Sequence, residues 1–345
     1  MIRSPRLDVE HGVVELVHGA GGRATTQLVD ALIAPALRSP WLDQRNDQAL
    51  LELPPGRVAI STDGFVVSPT FFPGGNVGHL AVHGTINDLA MGLARPLYLT
   101  VGLILEEGLP LRALDEVVRT IGAAARECEV AVVTGDTKVV ERGKGDGIFV
   151  TTTGVGVVSP GAVTPSADRA RPGDHVLVSG TLGDHGLAIL STLEGLSFEA
   201  PLVSDTAPLH GLVAAMAAAS PSLSVLRDPT RGGLAATLNE ICAASRVGVT
   251  LDEAALPIRA PVRAAAELLG IDPLDVANEG KLVAVVPAAE APKVLAAMRA
   301  HPLGRDAADV GVVVEDDDHL VELCTTFGGT RIVRWPLGEP LPRIC

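Results

Sequence analysis

The sequence predicts an α/β fold made of two consecutive units. β-rich runs alternate with helical periodicity along most of the chain. Its 345 residues are enough for about two domains of roughly 150 residues each. A stretch rich in Pro, Ser, Gly and Ala at residues 159–173 is typical of a linker between them. Because 47% of the residues are hydrophobic but only 3% are aromatic, each core should consist mainly of aliphatic side chains.

The first part of the chain predicts an N-terminal arm and one α/β unit. The arm, residues 1–45, contains the Gly-rich stretch LVHGAGG and then the helical pattern ATTQLVDALIAPAL. Residues 46–158 form the first unit. Its predicted strands are GRVAISTD, LYLTVGLILEEG, VAVVTGDTKVV and GIFVTTTGVGVV, and its predicted helices are GGNVGHLAVHGTINDLAMGL and LRALDEVVRTIGAAAREC.

Residues 174–324 predict a second α/β unit. It begins with the strand DHVLVSG and continues through the helices DHGLAILSTL and GGLAATLNEICAAS to the strand KLVAVVP. Two short strands, HLVELCT and TRIVRWP, come near the end of the chain. We assign residues 325–345 to a C-terminal tail, which is Pro-rich and polar after Pro336.

The charge and the cysteines argue against several classes of protein. The net charge is −14, from 27 basic and 41 acidic residues, and Lys and Arg do not cluster, so nucleic acid is not an expected partner. No stretch resembles a signal peptide or approaches the ~18 apolar residues of a membrane span. We therefore expect a soluble cytoplasmic protein that does not bind membranes. The four cysteines are far apart, which indicates reduced thiols and neither a zinc site nor a disulfide framework.

Four aspartates near predicted strand ends are candidate metal ligands. Three β-rich runs end or turn on Asp63, Asp88 and Asp136, and Asp47 stands just before a strand in RNDQALLEL. Each of them alone is more typical of a turn or a helix cap. If the strand ends converge, however, a cation is needed to neutralise the carboxylates. Mg²⁺ prefers oxygen ligands and usually bridges to substrate phosphates.

Two Gly-containing stretches are candidate phosphate sites. HGAGG supplies Gly19, Gly21 and Gly22, whose backbone N–H groups can approach phosphate oxygens closely, although a flexible turn explains the same residues. DPTRGGL opens a predicted helix, where unpaired N–H groups and the helix dipole favour anions. Capping of that helix by Thr230 is the competing interpretation. The candidate binding residues of this second stretch are Asp228, Arg231 and Gly232.

Three further residues are candidate catalytic residues because of their chemical groups and their places in the sequence. Lys138 follows Asp136 at a strand end, and Glu279 stands just before the strand KLVAVVP. A lone Lys or Glu is most often a solvated surface charge. Cys345 is the last residue of the sequence. Because a chain terminus is normally mobile and exposed, a thiol at this position is not expected to serve packing.

Seven motifs, spread over nearly the whole chain, resemble those of one known family. They are HGAGG, STDGFVVSPTFFPGGNVGHLAVHGTINDLAMGLARPLYLT, TGDTKVV, SGTLGDHG, RDPTRGGL, ANEGK and the terminal PRIC. Together they resemble the HypE family of NiFe-hydrogenase maturation proteins, carbamoyl dehydratases of the aminoimidazole ribonucleotide synthetase (PurM-like) superfamily. Gly64 and Asn76 depart from the family pattern, in which Ser and Asp are frequent at these positions.

The resemblance implies two PurM-like domains. The N-terminal, ATP-binding domain would form a barrel with its sheet in a homodimer, and a flexible C-terminal tail would follow a C-terminal α/β domain. ATP and Mg²⁺ are the implied cofactors, with Mg²⁺ held by the four aspartates. Cys345 would receive a carbamoyl group from the carbamoyltransferase HypF, and ATP would drive its dehydration to a thiocyanate. The cyano group would then pass to iron on the HypC and HypD complex.

The same chemistry implies roles for two of the candidate residues. Glu279 suits proton abstraction from the carbamoyl nitrogen, and Lys138 suits stabilisation of developing negative charge. Phosphoryl transfer needs positioning and charge neutralisation more than covalent help from the protein. The candidate carboxylates and phosphate sites would serve that purpose.

Other functions remain open on the sequence. Selenophosphate synthetase, of the same superfamily, uses a reactive residue near its N-terminus, whereas the first cysteine here is Cys128. Thiamine-phosphate kinase and aminoimidazole ribonucleotide synthetase share the ATP apparatus but give no reason for a terminal cysteine. A non-enzymatic scaffold that only carries a ligand on Cys345 would make the aspartates structural.

Overall fold

The computed structural model describes residues 7–196, 198 and 200–336, so the predicted reactive residue Cys345 lies outside the described residues. An N-terminal arm leads into the first unit. Gly19 packs against Val139, and Val13 forms an isolated bridge with Pro110. The helical segments of the arm are a 3-10 turn (Leu16–Gly19), α1 (Arg23–Leu28), a π-helical segment (Val29–Ile33), α2 (Ala34–Leu37) and a further 3-10 turn (Leu42–Gln44).

The first unit is built on a mixed four-stranded sheet. Its elements are β1 (Arg57–Phe65), β2 (Phe71–Phe72), β3 (Gly75–Asn76), α3 (Val77–Met91), β4 (Ala94–Glu106), α4 (Leu111–Glu127), β5 (Ala131–Val140) and β6 (Ile148–Val158). The strand order is β1-β6-β4-β5, in which β4 and β5 are parallel and the other neighbours are antiparallel. β2 and β3 form a separate hairpin. The predicted strands and helices of this unit are confirmed.

One face of this sheet is covered and the other is open. α4 buries Leu114, Val118 and Ile121, which recur at the helical period on one side of the helix. α3 packs against α4 and against β1, β4 and β6. Its N-terminus is capped by the Asn76 side chain, which accepts a hydrogen bond from the N–H of Gly78. On the open face, Val58 and Ile60 of the edge strand β1 are 52% and 68% exposed.

The second unit is built on a seven-stranded sheet. Its order is β13-β12-β9-β11-β7-β10-β8, in which β12 and β9 are parallel and the other neighbours are antiparallel. The strands are β7 (His175–Val178), β8 (Val225–Arg227), β9 (Gly248–Asp252), β10 (Val283–Val286), β11 (Ala308–Val314), β12 (Val321–Cys324) and β13 (Thr330–Ile332). The α-helices are α5 (Asp184–Leu193), α6 (His210–Ala219), α7 (Gly233–Ser245), α8 (Ala260–Leu269) and α9 (Ala291–Ala300). Short 3-10 turns cover Ala167–Arg169, Glu253–Ala255, Pro273–Asp275 and Pro302–Gly304.

Helices cover both faces of the central strands. Along β10, Val283 and Val285 pack with α7, whereas Ala284 and Val286 pack with α6 and α9. Successive side chains of a strand point to opposite faces. The uninterrupted apolar run of KLVAVVP is therefore explained by a strand that is buried on both sides.

The end of the second sheet differs from the predicted boundary. β13 pairs with β12, and the N–H of Val333 donates to the carbonyl of Val321. The sheet therefore continues into the segment 325–345 that the sequence assigned to the tail. Backbone pairing decides this boundary, and the predicted strand TRIVRWP is therefore part of the second unit. None of the helices in the described residues is long and apolar enough to cross a membrane.

Candidate active site

An acidic cavity lies where the two units meet. Asp63 comes from the end of β1 and Asp88 from the last turns of α3. Asp228 directly follows β8, and Glu279 shortly precedes β10. Since β8 and β10 are antiparallel neighbours, the end of one strand lies beside the start of the other. The cavity has a volume of about 50 Å³ and is lined by Asp63, Gly64, Phe65, Gly84, Asp88, Asp228, Thr230, Arg231 and Glu279.

The carboxyl groups of this cavity disfavour one another's ionisation. Burial and the Asp88 carboxylate raise the pKa of Asp63 to about 6. Burial of the carboxyl group and the charge of Asp88 raise the pKa of Asp228 to about 7. Burial, followed by the charges of Asp228 and other carboxylates, raises the pKa of Glu279 well above its ordinary value. Such a group of carboxyls favours the binding of protons or of a cation.

Glu279 is the most buried of these groups, with only 3% of its surface exposed. Within the described part of the chain, its Oε1 atom has no hydrogen-bond partner. A buried polar atom without a partner is costly, and such atoms call for an explanation such as a catalytic role or a bound ion. The Arg231 guanidinium is the cation that acts against the rise in the pKa of Glu279.

The segment DPTRGGL forms the start of α7, as predicted. The N-cap residue is Gly232, with φ of +76°, and Gly233 follows with φ of +60°. A Cβ atom at Gly233 would lie 2.4 Å from the Leu274 carbonyl oxygen, so only Gly fits there. Because the N-cap residue has no side chain, capping by Thr230 is not what starts this helix. The Asn278 side chain holds the preceding loop by donating to the carbonyl of Pro229 at 3.1 Å.

A second group of candidate residues lies on β5, at the other edge of the first sheet. The Lys138 ammonium lies 3.1 Å from the Asp136 carboxylate, and both side chains are exposed. The hydrogen bond from Lys138 holds the pKa of Asp136 below its ordinary value. Gly19 packs so closely on this strand that a Cβ atom there would lie 2.7 Å from the backbone nitrogen of Val139. The Gly-rich turn of the arm therefore packs against β5 at Val139, the residue after Lys138.

Between Gly19 and α1, the backbone of the turn at Gly21 and Gly22 is not packed against other residues that the structure describes. Gly21 has φ of +76°, and its N–H donates to the Thr25 hydroxyl at 3.0 Å. Gly22 is the N-cap residue of α1. A Cβ at either glycine would meet open space, so the backbone of this turn is accessible. A cleft of about 380 Å³ between the arm and β5 lies next to it and includes Asp136 and Trp41 in its lining.

A single chain does not bring the four predicted metal aspartates together. Asp63 and Asp88 share the cavity, but Asp136 lies on β5, three strands away from β1 at roughly 14 Å. Asp47 is exposed, and the residues after it form no strand before Arg57. Asp88 belongs to a helix rather than to a strand end. Among residues 7–196, 198 and 200–336, no group of three or more His, Cys, Asp or Glu side chains is arranged to hold a metal.

Comparison with known proteins identifies the family. The family described as AIR synthase related protein, N-terminal domain, matches residues 45–158, and its C-terminal domain counterpart matches residues 171–323. Carbamoyl dehydratase HypE of Azotobacter vinelandii is 63% identical over 340 residues, which cover 99% of both chains. The chain belongs to the HypE family. Full-length identity at this level decides against the other members of the superfamily that the sequence left open.

Solved HypE structures have the same fold. The crystal structure of HypE in complex with ATP has a TM-score of 0.91 and 47% identity, and it covers 96% of this chain and 99% of that one. HypE in the HypE–HypF complex has a TM-score of 0.78 and 45% identity, with 90% and 99% covered. The predicted architecture of two PurM-like domains is thereby confirmed.

Several residues around the cavity were not singled out from the sequence. Asp205 and Asn87 bind the backbone of Glu279, and Lys281 pairs with Asp205. Asn278 fixes the loop before α7. The ANEGK motif contains two of them, but its spacing alone does not distinguish a reacting group from a supporting one. Asp205 lies in an irregular segment without periodicity, so no local signal in the sequence marks it.

Proposed function

We propose that this chain is an ATP-dependent carbamoyl dehydratase that converts an S-carbamoylated Cys345 into an S-cyanated cysteine. The observation that carries the proposal is the buried Glu279, whose Oε1 atom is unpaired at the wall of the acidic cavity. Membership of the HypE family and the ATP-bound HypE relative support it. Pro336 lies beside Gly232, the residue after Arg231 of the cavity wall, and the remaining residues up to Cys345 can span roughly 30 Å when extended.

The reaction removes one water from the carbamoyl group. The carbonyl oxygen of the S-carboxamide attacks the γ-phosphorus of ATP, and ADP leaves. This step converts a poor leaving group into phosphate. Loss of both protons from the nitrogen, together with departure of phosphate, then leaves S–C≡N. The products are the S-cyanated cysteine, ADP and phosphate, and the carbamoyl oxygen ends in the phosphate.

The residues of the cavity have distinct roles in this proposal. Glu279 removes a nitrogen proton, because a carboxylate with a raised pKa is a strong base once it is ionised. Arg231 and the backbone at Gly232 bind phosphate oxygens at the start of α7. Asp228, whose pKa is raised to about 7, donates a hydrogen bond to a phosphate oxygen in its protonated form.

The residues on β5 enter the same site if the protein is a homodimer. Val58 and Ile60 leave an apolar, uncovered face beside the edge strand β1, and such faces normally pack against another element. A two-fold axis can place β5 of one copy next to β1 of the other. Lys138, Asp136 and the backbone of Gly19, Gly21 and Gly22 of one copy would then complete the cavity of its partner. Lys138 would stabilise the negative charge that develops on the phosphoryl group.

The donor atoms suit Mg²⁺. Asp63 and Asp88 supply hard oxygen ligands. Burial and then the Asp88 carboxylate raise the pKa of Asp63, and a bound cation would favour its ionised form. In the proposed dimer, Asp136 and Asp47 of the other copy complete the set. Mg²⁺ would neutralise charge on the triphosphate.

The reactions proposed for the Cys345 thiol require two partners, a donor of the carbamoyl group and an acceptor of the cyano group. A carbamoyltransferase must load Cys345, and a HypE relative has been crystallised in complex with HypF. The cyano group must then pass to an acceptor, for which we propose iron on the HypC and HypD complex. Both transfers need Cys345 to reach the surface, so the tail would carry the group between sites.

Intact-mass spectrometry tests this proposal directly. The full chain is incubated with HypF, its carbamoyl donor and ATP, and the adduct on Cys345 is followed over time. We expect a carbamoyl adduct that then loses one water. After the ATP consumed by HypF has been subtracted, one ADP should form for each water that is lost. The Cys345→Ala variant should acquire no adduct. A carbamoyl adduct that persists in the presence of ATP would indicate a carrier scaffold instead.

A further inference from the structure

An irregular segment between α5 and α6 connects the two units next to Glu279. We call residues 203–209 the strap. On the side of the first unit, the Thr206 hydroxyl forms a hydrogen bond of 3.0 Å with Nδ1 of His83. The N–H of Leu209 donates to the side-chain oxygen of Asn87 at 2.7 Å. Both partners belong to α3, the helix that carries Asp88.

On its other side, the strap holds the backbone of Glu279. The Asp205 carboxylate accepts a hydrogen bond of 3.0 Å from the N–H of Glu279. Its second oxygen lies 3.0 Å from the Lys281 ammonium, and the two side chains are only 5% and 13% exposed. Gly280 lies so close to the strap that its Cβ atom would meet the Asp205 carbonyl oxygen at 1.8 Å. A single buried carboxylate thus fixes the backbone around Glu279.

The carbonyl of Glu279 is held from the first unit as well. The Asn87 amide donates to it at 3.4 Å and to the carbonyl of Ala207 in the strap at 3.1 Å. The N–H and the C=O of Glu279 are therefore both bound to side chains that are themselves buried and paired. Since Asp88 follows Asn87 directly, the hydrogen bonds of Asn87 fix the position of Glu279 relative to Asp88.

We infer that Asp205 is a positioning residue for Glu279, setting the place of the catalytic carboxylate through its backbone. The inference rests on the proposed role of Glu279. Asp205 lies behind Glu279 and not on the wall of the cavity, so it acts without touching substrate. A displacement of a reacting group by about 1 Å can lower the rate by about 100-fold. The buried hydrogen bond from the Glu279 N–H to Asp205 prevents such a displacement of Glu279.

The test compares three substitutions at Asp205 in the full, carbamoylated chain with ATP. Asp205→Ala removes the acceptor for the Glu279 N–H, and we expect kcat for loss of water to fall by about 100-fold. The KM for ATP should stay within about twofold, because no group on the cavity wall is lost. Asp205→Asn keeps an oxygen acceptor in the same place and should restore kcat to within about fivefold of the wild type.

Asp205→Glu separates positioning from charge. This variant retains the negative charge beside Lys281, but its carboxylate lies one methylene further from the strap backbone. Positioning predicts that Asp205→Asn has a higher kcat than Asp205→Glu, whereas a role of charge alone predicts the reverse order. The contrast decides the question even if Asp205→Ala fails to fold, because both conservative variants keep a polar group at this position.

Thr206→Val is the matched control in the same strap. It removes the hydrogen bond to His83 and leaves all contacts of Asp205 in place, so kcat should stay within about twofold. An equal loss of kcat in Thr206→Val and Asp205→Ala would overturn the inference, since general integrity of the strap would then explain both. Wild-type kcat in Asp205→Ala would overturn it as well. Absence of water loss in the wild-type chain would refute the proposed function itself, and the two failures are thus distinguishable.

Discussion

Two groups of polar residues lie at opposite edges of the four-stranded sheet, and their electrostatics are opposite. In the acidic cavity, burial and mutual repulsion raise the pKa of Asp63 to about 6 and that of Asp228 to about 7. On β5, Asp136 is exposed, and its hydrogen bond from Lys138 lowers its pKa. The same residue type therefore behaves differently because of its surroundings. The cavity requires a cation or protons, whereas the group on β5 is already paired.

The largest expected effect on the rate comes from Glu279, in the buried acidic cavity. Glu279→Gln keeps the shape of the side chain but removes the base, so the rate of cyanation should fall by about 1000-fold. Acceptance of the carbamoyl group and ATP affinity should be unchanged, since neither step needs a proton acceptor. Mass spectrometry of the Cys345 adduct, with a separate ATP-binding titration, measures both. Normal cyanation by this variant would remove Glu279 from the mechanism.

One aspartate of each group tests whether both serve the same reaction. Asp63→Ala and Asp136→Ala should each lower ATP turnover by about 100-fold or more, because each removes a proposed Mg²⁺ ligand. The exposed Asp317 provides the control, and Asp317→Ala should turn over ATP at the wild-type rate. Circular dichroism shows whether the fold is kept. Wild-type turnover in both active-site variants would refute the metal assignment.

Mixing two inactive variants tests whether the two groups meet across a dimer. If each site takes Lys138 from one copy and Glu279 from the other, a mixed dimer of Lys138→Ala and Glu279→Gln contains one intact site. Random exchange of subunits should then restore about a quarter of the wild-type rate. The unmixed variants are the controls, and light scattering confirms the dimer. If mixing restores nothing although subunits have exchanged, the two groups do not form a shared site.

The smallest effect concerns stability as a function of pH. Because the folded-state pKa of Asp228 is raised to about 7, the folded protein binds more protons than the unfolded chain between about pH 4 and pH 7. The contribution of this group to stability is therefore present at low pH and lost as the pH rises through 7. Asp228→Asn should be increasingly more stable than the wild type from pH 5 to pH 7, with a constant difference above that.

Urea unfolding at several pH values without nucleotide measures this difference. Asp136→Asn is the matched control from the other group. Its carboxylate has a lowered pKa in the folded state, so its stabilising contribution is present above the unfolded pKa and is lost only as the pH falls through the folded one. Its difference from the wild type should therefore be flat from pH 5 to pH 8. A flat difference for Asp228→Asn as well would contradict the buried, raised state of that group.

Most secondary structure of this protein could be predicted from local sequence patterns. The helical period in LRALDEVVRTIGAAAREC corresponds to α4, and the apolar run in KLVAVVP contains β10. The motifs of the HypE family could also be recognised in the sequence, since they lie in order along the chain. The prediction was less accurate where position depends on partners. Asp88 was expected at a strand end and belongs to α3. The predicted strand TRIVRWP forms as β13, but it belongs to the sheet of a unit that was predicted to end at residue 324.

The sequence by itself determined which elements form and which family the chain belongs to, because periodicity and motifs depend on residues that are near one another in the chain. Only the tertiary structure decided which carboxylates meet. Asp63, Asp88, Asp228 and Glu279 come from four separate elements, and their convergence depends on how two sheets and α3 pack together. The raised pKa values and the support of Glu279 by Asp205 have the same origin. Burial and non-local hydrogen bonds exist only after folding, and no spacing in the sequence encodes them.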